Sequence, residues 1–287
     1  MAADQMMADR GGTLVMAPRY AASVFRPPHT YRQGRTSRPA APSARGRRLR
    51  PGRGRRASST LVIMSLTILL LPSPLLPALA YDGLAAALSA AGVRASIAPS
   101  DLAADEQADD LVRRWTAWVT TGAVLVPHSN AGYLAPVARA AAGGAQPIVF
   151  MDAALPPARG STPLAPPPFR AHLAGLADED GRLPPWTRWW PRAALEDVVP
   201  ARSFEALDQA CPRLSLSYFD TSVTSPPSWA DGGDAYLAFG TTYAEELRFA
   251  EAHGWPHSRL AGSHLHFMHD PAAVAAQIVA LAAALSG

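Results

Sequence analysis

The stretch that decides the fold reads Ala123-Val124-Leu125-Val126-Pro127-His128-Ser129-Asn130-Ala131-Gly132-Tyr133. Its first residues are apolar and partly β-branched, which is typical of a buried strand, and a helix-like pattern follows up to residue 142. The sequence therefore predicts a strand, a tight turn and a helix, with Ser129 at the apex of the turn. Such a turn exposes the serine hydroxyl and directs backbone N–H groups of the helix N-terminus toward an anion. Ser129 is our candidate nucleophile, and the alternative is an ordinary turn in which Ser129 caps the helix.

Two positions distinguish this turn from the Gly-x-Ser-x-Gly pattern of many nucleophilic serines. Pro127 and Ala131 occupy the places of the two glycines, and Gly132 follows one residue later. Alanine is small enough to let the helix approach the strand, whereas proline fixes φ at about −65° and removes a hydrogen-bond donor. The pattern favours a modified form of the nucleophile turn.

Strand and helix patterns alternate on both sides of this turn, beginning near Met64. The predicted strands are 66–71, 93–98, 124–126, 147–151, 235–239 and 258–261, and the predicted helices are 78–91, 131–142, 204–210, 242–253, 270–285 and one that begins at 101. This alternation favours an α/β protein with a mostly parallel sheet and helices on both of its faces. In the helix that we expect Asp101 to cap, Trp115 and Trp118 fall at helical spacing and are predicted core residues.

The alternation stops between residues 155 and 233. This segment holds 13 prolines and a cluster of three tryptophans, Trp186, Trp189 and Trp190. Because proline interrupts helices and strands, we predict a lid of loops and short helices, inserted into a single domain that spans 64–287. These tryptophans, together with His128 beside the serine, are our candidate substrate contacts, and they favour an apolar or aromatic substrate group.

The basic charge of the chain belongs to its first 60 residues, which carry 13 arginines and 2 acidic residues. Residues 61–287 carry 13 arginines and 21 acidic residues. The leader 1–60 has too few apolar residues to offset the entropy of ordering, so we predict that it is disordered. No aromatic residue interrupts its arginine-rich part, 35–56, and we therefore expect no nucleic-acid partner.

Residues 61–80 form an apolar run that ends in small residues, as a signal peptide does. Three prolines interrupt the run, and cleavage after Ala80 would remove the first predicted strand. Met64 offers an alternative start of translation. We therefore predict a cytoplasmic protein without membrane association, and secretion or anchoring through 61–80 is the alternative. The single cysteine, Cys211, excludes an intrachain disulfide and fits a reducing compartment.

A serine hydroxyl becomes an effective nucleophile when a base takes its proton and an acid orients that base. His264 follows the last predicted strand and precedes the last helix, and it is our candidate base, with His266 and His269 as competitors. Two carboxylates stay open as the orienting acid. Asp152 ends the strand that follows the serine turn, and Glu245 follows the next strand along the chain.

An attacked carbonyl oxygen becomes an anion that needs N–H donors. We expect the amide of Asn130 to be one donor and an amide in the loop after the first strand to be the other. Prolines 72 and 74 cannot donate, which leaves Leu75 or Leu76. The sequence shows neither a metal-ligand spacing nor a glycine-rich phosphate loop. We expect no metal and no cofactor, and a small molecule as the substrate.

From about Met64 onward, the chain resembles the α/β-hydrolase superfamily, in particular its small actinobacterial-type members. Those members have a Leu-x-x-Ser-Pro-Leu first loop, which this chain matches, and a Gly-His-Ser-x-Ala-Gly turn, which it matches except for Pro127 at the first glycine. Further matches are Val149-Phe150-Met151-Asp152, Leu183-Pro184-Pro185-Trp186 and Gly262-Ser263-His264-Leu265-His266. The chain order serine, acid, histidine is the one that this family uses. The resemblance implies the α/β-hydrolase fold and a serine hydrolase acting on an ester, thioester or lactone. Because the fold also hosts proteins without catalytic activity, a non-catalytic binding protein is the second interpretation.

Overall fold

Residues 66–286 are described here from a computed structural model, and the predicted leader 1–60 lies outside them. The strands are β1 (Thr67–Leu71), β2 (Arg94–Ile97), β3 (Ala123–Ser129), β4 (Val149–Ala153), β5 (Ser161–Pro163), β6 (Ser222–Thr224), β7 (Ala235–Phe239) and β8 (His257–Leu260). Six of them form a parallel sheet in the order β2-β1-β3-β4-β7-β8, and β5 pairs with β6 in a small antiparallel sheet.

The α-helices of the described residues are α1 (Asp82–Ala90), α2 (Ala108–Trp118), α3 (Ala131–Ala141), α4 (Pro167–Leu176), α5 (Phe204–Ala210), α6 (Ala244–Ala252), α7 (His266–His269) and α8 (Pro271–Ala284). Helix α1 packs against α8, and α2 packs against α3. Pro271 occupies the first turn of α8, where a missing N–H costs nothing, and the side chain of Asp270 accepts the amide of Ala273 at 3.0 Å.

The central strands are buried along their whole length. Every residue of β3, β4 and β7 is buried, whereas residues of the edge strands β2 and β8 alternate between exposed and half-buried. Successive side chains of a strand point to opposite faces, so complete burial requires a cover on both faces of the sheet. The prediction of a mostly parallel α/β sheet with helices on both faces is confirmed.

The helix predicted from Asp101 begins later than the pattern suggested. Gln107 caps α2, because its own N–H donates to Asp110 Oδ2 at 2.9 Å and its side chain accepts the amide of Asp110. Trp115 is a core residue, as predicted. Trp118 is 47% exposed, because it is the last residue of α2 and lies past the part that faces the sheet.

Residues 155–233 pack onto the main domain rather than forming a core of their own. Their apolar side chains join the hydrophobic core cluster of the main domain, among them Leu164, Phe169, Leu183, Trp186, Trp189, Tyr218 and Phe219. The segment contains β5 and β6, which the sequence did not reveal, because strands of three residues are too short to show an alternating pattern.

Part of the apolar run 61–80 is β1, which lies inside the sheet between β2 and β3. Within residues 66–286, no helix is long and apolar enough to cross a membrane.

Candidate active site

Ser129 lies in a strained turn at the end of β3. Its φ is +58°, a left-handed conformation that residues other than glycine rarely adopt, and α3 begins two residues later. Such a conformation persists only where the surrounding structure holds it in place. The predicted strand, turn and helix are therefore present, with the serine hydroxyl at the carboxyl edge of the sheet.

Gly132 explains how this turn forms without the usual glycines. A Cβ atom on Gly132 would collide with the carbonyl oxygen of Ala154 and would lie 2.9 Å from Cβ of Ala153. Glycine at this position lets α3 pack directly against the end of β4. Pro127, at the first glycine position, lies within β3 beside Leu71 of β1, so the strand continues through it.

Three side chains form a hydrogen-bonded chain at this edge of the sheet. Ser129 Oγ lies 3.0 Å from His264 Nε2, and His264 Nδ1 lies 2.7 Å from Asp152 Oδ2. All three residues are buried. When Nδ1–H donates to the carboxylate, Nε2 is the acceptor for the serine proton. This is the geometry with which a serine hydroxyl loses its proton to a histidine.

Asp152 is held by two donors. Its Oδ1 accepts the N–H of Phe239 at 2.9 Å, and its Oδ2 faces His264. Burial raises the pKa of Asp152, and the hydrogen bonds from His264 and Phe239 oppose that shift. The carboxylate is therefore fixed in a water-free position where it can orient the imidazole.

The structure does not bring the other candidates to Ser129. The side chain of Glu245 is 72% exposed and lies 3.7 Å from Arg248. His266 packs edge-on against Phe239, and His269 donates from Nε2 to the carbonyl of Val198 at 3.1 Å. Of the three histidines that the sequence left open, His264 is the one bonded to Ser129, and of the two carboxylates, Asp152 is the one bonded to that histidine.

A cavity of about 30 Å³ lies over Ser129. Its lining is mostly aromatic and consists of Leu75, Ser129, Asn130, Phe169, Trp186, Trp189, Trp190, Phe219, Tyr243 and His264. The three tryptophans that the sequence singled out are all in this wall. Sequence reasoning missed Phe169, Phe219 and Tyr243. Only Tyr243 had a signal, since it follows a strand of the sheet at its carboxyl end.

No protein-family model and no curated protein matches the sequence. Solved structures do match it. An extracellular α/β-hydrolase from a Paenibacillus species is 14% identical, with 75% of this chain and 98% of that chain covered and a TM-score of 0.57. A pyrethroid hydrolase from Sphingobium faniae is 18% identical, with 77% and 98% covered and a TM-score of 0.54. Tomato methylketone synthase I is 12% identical, with 77% and 98% covered and a TM-score of 0.55.

The chain has the α/β-hydrolase fold. This fold places ligand sites at the carboxyl ends of its parallel strands, and the chain of Ser129, His264 and Asp152 lies at that edge. Asp152 lies near the end of β4, the strand directly beside the serine strand, and Tyr243 follows the next strand, β7.

The expected anion-binding residues lie in two loops of the fold. Leu75, in the loop after β1, lines the cavity together with Asn130, whereas Leu76 does not. The amide of Leu76 donates to the carbonyl of Ser73 at 3.1 Å, and the amide of Leu75 donates to the hydroxyl of Ser73 at 3.4 Å. Of the two expected donors in this loop, Leu75 is the residue beside the cavity, and its N–H must leave the Ser73 hydroxyl to bind a substrate oxygen.

The side chain of Asn130 connects the serine turn to residues 155–233. Its Nδ2 donates to the carbonyl of Leu164 at 3.3 Å, and its Oδ1 accepts the hydroxyl of Tyr218 at 2.6 Å. The residue that follows the serine is thus fixed by the segment that covers the cavity.

His128 lies behind the site and does not line the cavity, contrary to the expected substrate contact. Because its Nε2 faces the carbonyl of His264 at 3.2 Å, Nε2 must carry the proton. Its Nδ1 then accepts the hydroxyl of Tyr81 at 2.9 Å, and Tyr81 Oη accepts the amide of Ser73 at 2.9 Å. His128 therefore braces the loop of Ser73 against the loop of His264. Burial, with a smaller contribution from neighbouring His264, lowers the pKa of His128 well below its usual value.

Among residues 66–286, no group of three or more histidine, cysteine or acidic side chains is placed to hold a metal ion.

Proposed function

We propose that the chain is a serine hydrolase that cleaves an ester, thioester or lactone of a small apolar substrate. The observation that carries this proposal is the hydrogen-bonded chain from Ser129 through His264 to Asp152, with distances of 3.0 and 2.7 Å, at the wall of a buried cavity. The solved structures of similar fold include a pyrethroid hydrolase and an extracellular α/β-hydrolase, which also favours hydrolysis.

In the proposed reaction, Ser129 Oγ attacks the carbonyl carbon while its proton passes to His264 Nε2. Asp152 holds Nδ1–H and stabilises the imidazolium that forms. The carbonyl oxygen becomes an anion that accepts hydrogen bonds from the backbone N–H groups of Asn130 and Leu75. The bond to the leaving group then breaks, and the leaving atom takes the proton from His264. Water attacks the acyl-serine by the same proton transfers and releases the acid.

We propose residues 155–233 as the lid over this site. Trp186, Trp189 and Phe219 cover Ser129 and leave about 30 Å³, which is room for about two water molecules. Any organic substrate must therefore displace part of the segment on entry. The aromatic wall favours an apolar acyl or alcohol group over a charged one.

We keep the cytoplasm as the proposed compartment, because cleavage after Ala80 would remove β1 from the interior of the sheet. The intact mass of the protein from its native source tests this point. A mature chain that begins at residue 81 would contradict it.

Labelling of the serine with a fluorophosphonate tests the proposed hydrolase. The wild-type protein should gain one phosphonate on Ser129 and should hydrolyse 4-nitrophenyl acetate. Ser129→Ala should lose the label and reduce turnover about a thousandfold or more, because the nucleophile is absent. Ser228→Ala is a matched control, since Ser228 has the same left-handed conformation (φ +57°) but is exposed and lies outside the cavity. Turnover within a few fold of wild type in Ser129→Ala would show that Ser129 is not the nucleophile. A folded wild-type protein with neither label nor turnover would favour a non-catalytic binding protein.

A further inference from the structure

Tyr243 brings a second hydroxyl to the serine. Its Oη lies 3.5 Å from Ser129 Oγ, and the residue is 4% exposed and lines the cavity. Its ring packs against the ring of His264 with 5.5 Å between the centroids. The tyrosine hydroxyl therefore lies next to the serine hydroxyl, and its ring lies against the imidazole that would take the serine proton.

The position of Tyr243 is set by a close contact between two loops. Gly240, just after β7, has a φ of +57°, and its N–H donates to the carbonyl of Leu260 at 2.9 Å. A Cβ atom on Gly240 would collide with the carbonyl oxygen of Gly262. Because the loop that leads to Tyr243 lies directly against the loop that leads to His264, both side chains reach the serine from the same side.

The expected anion-binding groups reach the serine from the opposite side. In the sheet, β3 lies between β1 and β4, and β7 lies beyond β4. Leu75 follows β1, whereas Tyr243 follows β7. When the carbonyl oxygen of an ester is bound by Leu75 and Asn130, the single-bonded oxygen of that ester therefore points toward His264 and Tyr243.

We propose that Tyr243 donates a hydrogen bond to the leaving-group oxygen of an ester substrate, an inference that rests on the proposed hydrolase function. When the tetrahedral intermediate collapses, the carbon–oxygen bond breaks and its electron pair goes to the leaving oxygen. His264 supplies the proton that this oxygen takes, and Tyr243 keeps its own proton. The tyrosine hydroxyl stabilises the negative charge that builds up before the proton arrives.

This role defines the substrate class more narrowly. An alkyl alcohol is a poor leaving group, so a donor to its oxygen lowers the barrier, whereas 4-nitrophenolate leaves readily without help. A sulfur atom accepts hydrogen bonds weakly, so a thioester gains little from the tyrosine. The site is therefore suited to oxygen esters of alcohols rather than to thioesters.

The test compares kcat/KM for ethyl acetate and 4-nitrophenyl acetate, because this constant covers the steps up to the departure of the leaving group. Tyr243→Phe should reduce kcat/KM for ethyl acetate about 10- to 100-fold, as expected for loss of a hydrogen bond to a charged group, and for 4-nitrophenyl acetate less than about threefold. The dependence of both rates on pH should keep its shape. Tyr133→Phe removes a buried hydroxyl outside the cavity and should leave the ratio of the two esters unchanged.

Two outcomes would overturn the role of Tyr243 while the hydrolase remains. An equal loss for both esters, with an altered pH profile, would show that the hydroxyl only positions His264 or Ser129. No loss for either ester would show that it does not act in the reaction. If the proposed hydrolase function is wrong, the wild-type protein will show no turnover and no fluorophosphonate on Ser129. That result is distinct from the two above, and it would refute the role of Tyr243 as well.

Discussion

Mild acid should destabilise this protein through one buried histidine. His128 is enclosed by the hydroxyl of Tyr81 on one side and the carbonyl of His264 on the other. A second proton on its ring would displace the hydrogen of Tyr81, whose oxygen already accepts the amide of Ser73. Burial and the nearby ring of His264 accordingly lower the pKa of His128 well below its usual value. The folded protein therefore takes up a proton at His128 only at a pH well below that at which the unfolded chain does.

The size of the effect follows from proton linkage. In the unfolded chain a histidine has a pKa of about 6.5, so below that pH the unfolded state binds one proton more than the folded state. The stability that His128 contributes is fully present above this value and is lost as the pH falls toward the lowered pKa. The slope is about 1.4 kcal/mol per pH unit, which gives about 2 kcal/mol between pH 6.5 and 5.0.

Other buried groups act in the opposite direction, so the wild-type curve alone does not isolate His128. Burial raises the pKa of Asp234 to about 6 and that of Glu246 to about 7. A carboxyl group with a raised pKa stabilises the folded state at low pH and loses that contribution as the pH rises. The comparison must therefore be made with a variant in which only position 128 cannot titrate.

Urea unfolding of wild type and His128→Asn, at pH 6.5 and pH 5.0, provides that comparison. The variant should be less stable at both values, because it loses the brace between the two loops. Between the two values the wild type should lose about 2 kcal/mol more than the variant. Equal changes in the two proteins would refute the reasoning, and so would a His128 ring whose NMR signal titrates near pH 6.5 in the folded state.

Three further predictions concern the serine turn, the acid and the leader. Gly132→Ala should lower the free energy of unfolding by about 3 kcal/mol, because its Cβ atom would collide with the backbone of Ala154, and an unchanged urea midpoint would contradict this packing. Asp152→Asn should reduce kcat at least tenfold while Glu245→Gln changes it less than twofold, and steady-state kinetics showing the reverse order would assign the acid to Glu245. A chain that begins at Met64 should keep the melting temperature and turnover of the full chain, and a loss of several degrees would show that the leader packs on the domain.

The sequence predicts the sheet well because its central strands are continuous apolar runs bounded by turn residues. The start of α2 was missed, since Asp101 is the better N-cap by residue type and only the reciprocal bonds of Gln107 and Asp110 distinguish the true start. Asp152 lies at the end of β4 and Glu245 follows β7 at the same edge of the sheet, so residue type could not separate them. Their positions relative to the imidazole depend on strand order and loop path, which arise only in the assembled sheet.

The local sequence pattern also does not predict contacts between side chains that come from different loops of the fold. His128 stands next to the serine in the chain, yet alternation along β3 turns its ring away from the cavity and against Tyr81. Tyr243 is distant from the serine in sequence and reaches it only because Gly240 lets its loop lie against the loop of His264. Proximity along the chain was a poor guide to proximity in space for both residues.

The two hydrogen bonds of the Asn130 side chain couple the proposed lid to the backbone that we propose binds the substrate anion. Its side chain is bonded to Leu164 and Tyr218 of the covering segment, while its main chain belongs to the serine turn. Such coupling is reciprocal: a ligand that stabilises the serine turn also stabilises the covering segment, and the reverse holds equally. We therefore expect an adduct whose oxygen binds the amide of Asn130 to stabilise residues 155–233 in their place over the cavity. Protease cleavage within that segment should therefore be slower in protein whose Ser129 carries such an adduct than in free protein.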